Sequence, residues 1–167
     1  MKELKRVAAI HDLSGVGRCS LSVIIPTLSV LGIQVCPVTT ALLSTHTRGF
    51  GDVVMKDMTD YIPLALEHYR SAGVSFECIY SGFLASERQV ELCLDFFESY
   101  PDAMRIVDPV MGDNGRMYKT YTKELCDSMQ RLAQAADIIT PNLTEASILL
   151  GIDYPVSQLT QNEIKGM

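Results

Sequence analysis

The chain has 167 residues, with 14 Lys and Arg against 20 Asp and Glu, a net charge of −6, and 47% hydrophobic content. Apolar content that high at modest charge excludes a disordered chain, and the length suits one domain on the usual scale of about 100–200 residues. An acidic chain without clustered Lys and Arg lacks the footprint of a nucleic-acid binder.

The apolar run Val7-Ala8-Ala9-Ile10 is too short for a signal-peptide core. The greasy stretch 21–38 is interrupted by Pro26, Gly32, Gln34 and Pro37, so it cannot span a bilayer. The five cysteines, at 19, 36, 78, 93 and 126, are odd in number and show no two-residue gap. They read as reduced thiols that mostly pack as small hydrophobes, and the expected location is cytoplasmic.

Strand and helix patterns alternate along the chain. A strand is expected at 6–10, followed by a polar turn at 11–17. A helix over 20–31 is closed by Gly32 and strained by Pro26. A strand follows at 33–38. Ile62, Leu66 and Tyr69 repeat at helical spacing up to Gly73, and a strand is expected at 77–80. Ser86-Glu87-Arg88-Gln89 has the form of a capping box ahead of a face made by Val90, Cys93, Leu94 and Phe97. A strand at 104–107 precedes a helix face of Leu125, Met129, Leu132 and Ala136, then a strand at 137–140. Asn142-Leu143-Thr144-Glu145 begins another helix, closed by Gly151. Thr160-Gln161-Asn162-Glu163 announces one more, which Met167 cuts short after about one turn. Such strand–helix units imply an α/β domain over 1–167, with a mostly parallel sheet and helices on both faces. Residues 39–57 fit neither period and are expected to form an irregular lid or contact segment.

Ligands of open parallel sheets bind beyond the carboxyl ends of the strands. Five expected strand ends deliver polar residues or glycines: His11, Asp12 and Ser14; Ser44-Thr45-His46-Thr47; Ser81-Gly82-Phe83; Asp108-Pro109-Val110-Met111-Gly112-Asp113; and Thr140-Pro141-Asn142 with Glu145 one turn on. Asp108 and Asp113 could share a hydrated Mg²⁺ or simply make an Asx turn. Asn142 and Glu145 could cap a helix or hold a phosphate through a cation. His46 is a ligand contact or a structural histidine. Gly15-Val16-Gly17 is not a dinucleotide fingerprint, because Ser20 replaces the third Gly and no acidic ribose contact follows the second strand.

Together, Ser44-Thr45-His46-Thr47, Tyr80-Ser81-Gly82-Phe83, Asp108 to Asp113, Met117-Tyr118 and Ile139 to Glu145 resemble the vitamin B6 (pyridoxal/pyridoxamine) kinases of the ribokinase-like superfamily. The resemblance implies a ribokinase-like fold and transfer of the ATP γ-phosphoryl group to the 5′-hydroxyl of pyridoxal, pyridoxamine or pyridoxine, an alcohol acceptor. It implies substrate contacts at Asp12, His46, Thr47 and Phe83. Nucleotide and phosphate contacts fall at Asp113, Tyr118, Thr140 and Asn142, and metal contacts at Asp108 and Glu145. Mg²⁺ and ATP are the implied cofactors, a monovalent cation is an optional addition, and a homodimer is a common assembly of the family. Thr45 stands where these kinases usually carry Asn, Phe83 where many carry Tyr, and Ile10 where many carry Ser. The family's Gly-x-Gly-Asp segment and catalytic Asp match nothing in 1–167 and are expected downstream of Met167. The chain therefore reads as an N-terminal portion that binds without turnover. The alternatives are a hydroxymethylpyrimidine or sugar kinase of the same superfamily, or a non-catalytic vitamer-binding module.

Overall fold

The computed structural model describes residues 5–47, 49–118, 120–155 and 160–166. In chain order the elements are β1 (Arg6–Val16), α1 (Leu21–Val30), β2 (Gln34–Thr45), β3 (Met55–Asp57), α2 (Tyr61–Ser71), β4 (Cys78–Ser81) and α3 (Glu87–Ser99). There follow β5 (Met104–Val107), β6 (Gly112–Asp113), β7 (Arg116–Met117), α4 (Lys123–Gln134), β8 (Ile138–Ile139), α5 (Leu143–Leu150) and α6 (Gln161–Gly166). The main sheet has the order β3-β2-β1-β4-β5-β8, parallel throughout except for β3, and β6 pairs with β7 in a separate hairpin.

Right-handed crossovers put α1 on one face of this sheet and α2, α3 and α4 on the other, because the chain moves one way from β1 to β2 and the opposite way from β4 onward. The larger core lies under α2–α4. Ile10, Ile79, Leu92, Phe96, Met129 and Leu132 are fully buried there, each stabilising the fold by about 1.5–3 kcal/mol. The helix α1 carries no charged residue and leaves Val30 and Leu31, at its end, mostly exposed. No helix among the described residues is long and apolar enough to cross a membrane. All five cysteines are free thiols. Cys93 and Cys126 are buried, and burial pushes the Cys93 thiol up to about 12.

Several elements differ from expectation. The expected turn at 11–17 is strand, since β1 runs on to Val16 against β2 across a bulge at Asp12. Polar side chains tolerate burial there because they bond each other: Asp12 accepts from the hydroxyls of Ser20 (2.5 Å) and Ser14 (3.3 Å). β2 likewise extends to Thr45 and folds back through β3, so most of the expected irregular segment 39–57 is a strand-built flap. Ser20 does not cap α1 with its side chain; it sits at φ 47° and is held by its bond to Asp12. Ser86 caps α3, but Gln89 turns away to bond Ala85, Thr40 and Thr59 instead of completing the box. The face of α3 is wider than expected, with Leu92 and Phe96 also buried. Ala136 falls beyond the end of α4. α6 begins where expected, and the carbonyl of Thr160 accepts from the N–H of Ile164. The Glu163 side chain and Met167, where the helix was expected to be cut short, lie outside the described residues.

Candidate functional site

The strand order reverses direction between β1 and β4, which places the topological switch point beside the ends of these two strands. His11, Asp12, Ser81, Gly82 and Phe83 lie there. Ile10 pairs with Ser81, and the Gly82 N–H donates to the Ile10 carbonyl. His11 is 3% exposed, and its ring meets the Tyr80 ring edge-on at 4.5 Å. A Cβ on residue 82 would sit 2.2 Å from the imidazole, so only glycine fits under it. Burial lowers the His11 pKa to about 3, leaving the ring neutral, and its Nε2 has no hydrogen-bond partner among the described residues.

Of the expected substrate contacts, Asp12 and Phe83 both neighbour Thr40. Asp12 sits opposite Thr40 and Ala41 at the bulge, and the Thr40 hydroxyl donates to the Phe83 carbonyl at 2.9 Å. His46 and Thr47 lie farther out, past the end of β2. Six residues from Thr40 span up to about 20 Å of strand. The His46 N–H donates to the Val16 carbonyl, Gly17 lets the backbone approach the His46 ring, and Phe50 meets that ring edge-on at 5.0 Å. The flap therefore presents His46 at its outer end.

The second cluster forms around the ends of β5 and β8. The Asp108 N–H donates to the Ser81 carbonyl and the Thr140 N–H to that of Val107, so three adjacent strand ends stay in register. Asn142 and Glu145 cap α5 reciprocally. The Asn142 side chain also donates to the Gly112 carbonyl, and Glu145 accepts from the Met111 N–H. The β5–β6 loop is thus stitched to the start of α5. Burial pushes the Asp108 carboxyl above its usual range. Glu145 is raised by burial and by the Asp108 charge, against the lowering effect of its backbone donors.

β6 and β7 are joined by Asn114 and Gly115 at φ 53° and 73°, the pattern of a type I′ turn. Asp113 accepts from the Asn114 backbone and side chain. An open cavity of about 460 Å³ is lined by Asp113, Asn114, Arg116, Met117 and Tyr118. Asp113 and Tyr118, expected on the nucleotide side, meet here. Arg116 lines the same cavity and is a candidate missed by sequence reasoning; the Asn-Gly dipeptide was the available signal that the chain reverses and brings Arg116 back beside Asp113.

The family model for phosphomethylpyrimidine kinase matches residues 24–166. The chain belongs to this family. It is 34% identical over 137 residues to the pyridoxal kinase PdxY of Histophilus somni, covering 75% of this chain and 46% of that one. A Bacteroides thetaiotaomicron protein assigned to the phosphomethylpyrimidine kinases, solved in an orthorhombic form with pyridoxal, is 43% identical. Its structure superposes with a TM-score of 0.92 over 98% of this chain and 57% of its own. Pyridoxal kinase from Leishmania donovani, solved with ADP and pyridoxamine, is 26% identical with a TM-score of 0.81, covering 93% of this chain and 55% of its own. The family member described here therefore has the ribokinase-like α/β fold and spans about half the length of the curated relatives it matches.

Proposed function

We propose that the protein takes part in ATP-dependent phosphorylation of the 5′-hydroxyl of a B6 vitamer. The observation that carries this reading is the pairing of two polar clusters on adjacent strand ends, in a chain 43% identical to a protein solved with pyridoxal. Asp12, Phe83 and the flap residues His46 and Thr47 contact the vitamer. Asp113, Tyr118, Thr140 and Asn142 face the nucleotide phosphates, with Arg116 as an added cation.

Among the described residues no group of three His, Cys, Asp or Glu side chains is arranged to hold a metal. The donor chemistry fits Mg²⁺ shared with nucleotide phosphates, which needs only one or two carboxylates. Asp108 is the direct candidate. Glu145, whose oxygens already accept backbone N–H groups, would act through water. Mg²⁺ there would neutralise charge on the transferred phosphoryl group. On this reading residues 1–167 position both substrates, and the family's catalytic base has no match among them. We therefore propose that they bind without turnover. The five free thiols suit a reducing cytoplasm. The uncharged α1 and the exposed Phe50, Val54 and Met55 of the flap suit a homodimer contact, which the mass measured by multi-angle light scattering would read.

Titration of the chain with pyridoxal, pyridoxine and hydroxymethylpyrimidine tests the substrate. Saturable vitamer binding supports the reading. Preference for the pyrimidine would favour the second reading, a hydroxymethylpyrimidine kinase, which the family model supports.

A further inference from the structure

The loop that follows β4 is pinned at four consecutive residues. The Gly82 N–H donates to the Ile10 carbonyl at 3.1 Å. The Phe83 carbonyl accepts from the Thr40 hydroxyl at 2.9 Å, and the Leu84 carbonyl from the Tyr121 hydroxyl at 3.1 Å. The Ala85 N–H donates to Gln89 Oε1 at 2.8 Å. Gly82 and Leu84 are buried, so the backbone groups of this loop must find their partners inside the fold.

Two of these anchors are one device. Thr40 and Gln89 are both fully buried. Gln89 Nε2 donates to the Thr40 carbonyl at 2.9 Å and to the Thr59 hydroxyl at 3.0 Å. A single amide thus joins the bulged part of β2, the approach to α2 and the loop carrying Phe83. A long polar side chain is rarely sealed from water unless most of its bonds are made, and here three are. Cap strength alone does not account for this. Ser86 already caps α3, and Gln89 forgoes the box it could complete.

We propose that Thr40 and Gln89 are positioning residues that hold Phe83 at the substrate site. This rests on the vitamer-binding reading of Phe83. The clasp acts through the backbone: Thr40 fixes the Phe83 carbonyl, Gln89 fixes Thr40 and Ala85 on either side, and the phenyl ring follows. A ring held before binding spends no ordering entropy when the ligand arrives.

The chain has no Trp, so Phe83→Trp introduces a sole tryptophan, excited selectively over the seven tyrosines, at the clasped position. In that background Thr40→Val removes the hydroxyl at nearly constant volume, and Thr40→Ser keeps it. The expected result is a lower anisotropy and red-shifted emission in the valine variant. Pyridoxal quenching should weaken roughly fivefold, about 1 kcal/mol, with both effects restored by serine. Emission and anisotropy unchanged by Thr40→Val overturn the proposal. If pyridoxal quenches no variant while Thr40→Val still loosens the indole, the substrate reading fails and the clasp stands. If the valine variant does not fold, amide exchange in the unsubstituted chain decides. Slow exchange at Ala85 supports the clasp, and exchange at the rate of an open loop overturns it.

Discussion

His11 makes stability depend on pH in a direction opposite to that of a salt-bridged histidine. The ring is sealed between Tyr80 and Gly82, and burial lowers its pKa from 6.5 to about 3. Between those values the unfolded chain binds a proton and the folded chain does not. Stability therefore rises with pH across this window and falls as pH drops from 6.5 toward 3. At pH 7 the unfolded state gains little from protonation. At pH 5 it gains about 2 kcal/mol, from 1.5 units below the unfolded pKa at about 1.36 kcal/mol per unit. For a domain of this size that is a fall of about 4–8 °C in Tm.

The raised carboxyls of Asp108 and Glu145 act in the opposite sense. Their folded forms hold protons more tightly than the unfolded chain, so they add stability as pH falls through their raised values. A difference measurement removes them. Urea unfolding followed by circular dichroism at pH 7 and pH 5, for the parent and for His11→Asn, isolates the imidazole. The parent should lose about 2 kcal/mol more than the variant over that interval. Equal pH dependence in the two proteins refutes the reasoning, as does an NMR titration of the His11 ring with a midpoint near its ordinary value of 6.5.

Gly82→Ala should destabilise the fold by about 1–3 kcal/mol, because its Cβ would sit 2.2 Å from the His11 ring. Thermal melts should show that His11→Ser in the same chain recovers most of the loss. Asn142→Ala removes the cap of α5 and the bond to the Gly112 carbonyl, with an expected loss of about 1–2 kcal/mol in chemical denaturation. Asp12→Ala frees the hydroxyls of Ser14 and Ser20 and releases Ser20 from its positive φ. Faster amide exchange at the first turn of α1 should follow, with weaker pyridoxal binding. Asp108→Asn should abolish the Mg²⁺ dependence of ADP binding by calorimetry while leaving the melting temperature within about 3 °C.

The parts of this fold written in local pattern were legible in the sequence. Helical spacing located α2, α3 and α4, and the reciprocal cap of α5 was visible in Asn142 and Glu145. Features that depend on a distant partner were not. Asp12 and Ser14 look like turn residues until β2 pairs alongside and their side chains bond one another. Gln89 has the sequence position of a capping-box residue, yet its partners include Thr40, 49 residues away. The strands β6 and β7 are two residues each, too short for any period, and only the Asn114-Gly115 turn betrays them. The site was therefore legible as a set of strand ends, while the bonds that shape it were not.

The two ends of the sheet have opposite chemistry. At the amino ends, Phe76 before β4 packs edge-on against Tyr69 and Tyr100, an apolar seal that needs few polar bonds. At the carboxyl ends and the loops leaving them lie His11, Asp12, Ser14, Thr40, Ser81, Thr144 and Glu145, all buried. Burying a polar group without a partner costs about 1–3 kcal/mol, so a fold selected only for stability would not collect so many at one end. Most are satisfied by one another or by backbone. The exception is His11 Nε2, which stands at the β1–β4 switch point without a partner among the described residues. Unmet capacity alone does not mark the site, because Thr45 Oγ1 at the outer end of β2 and the Tyr100 hydroxyl at the amino end also lack partners among the described residues; the collection of buried polar groups beside the switch point is what sets the carboxyl end apart.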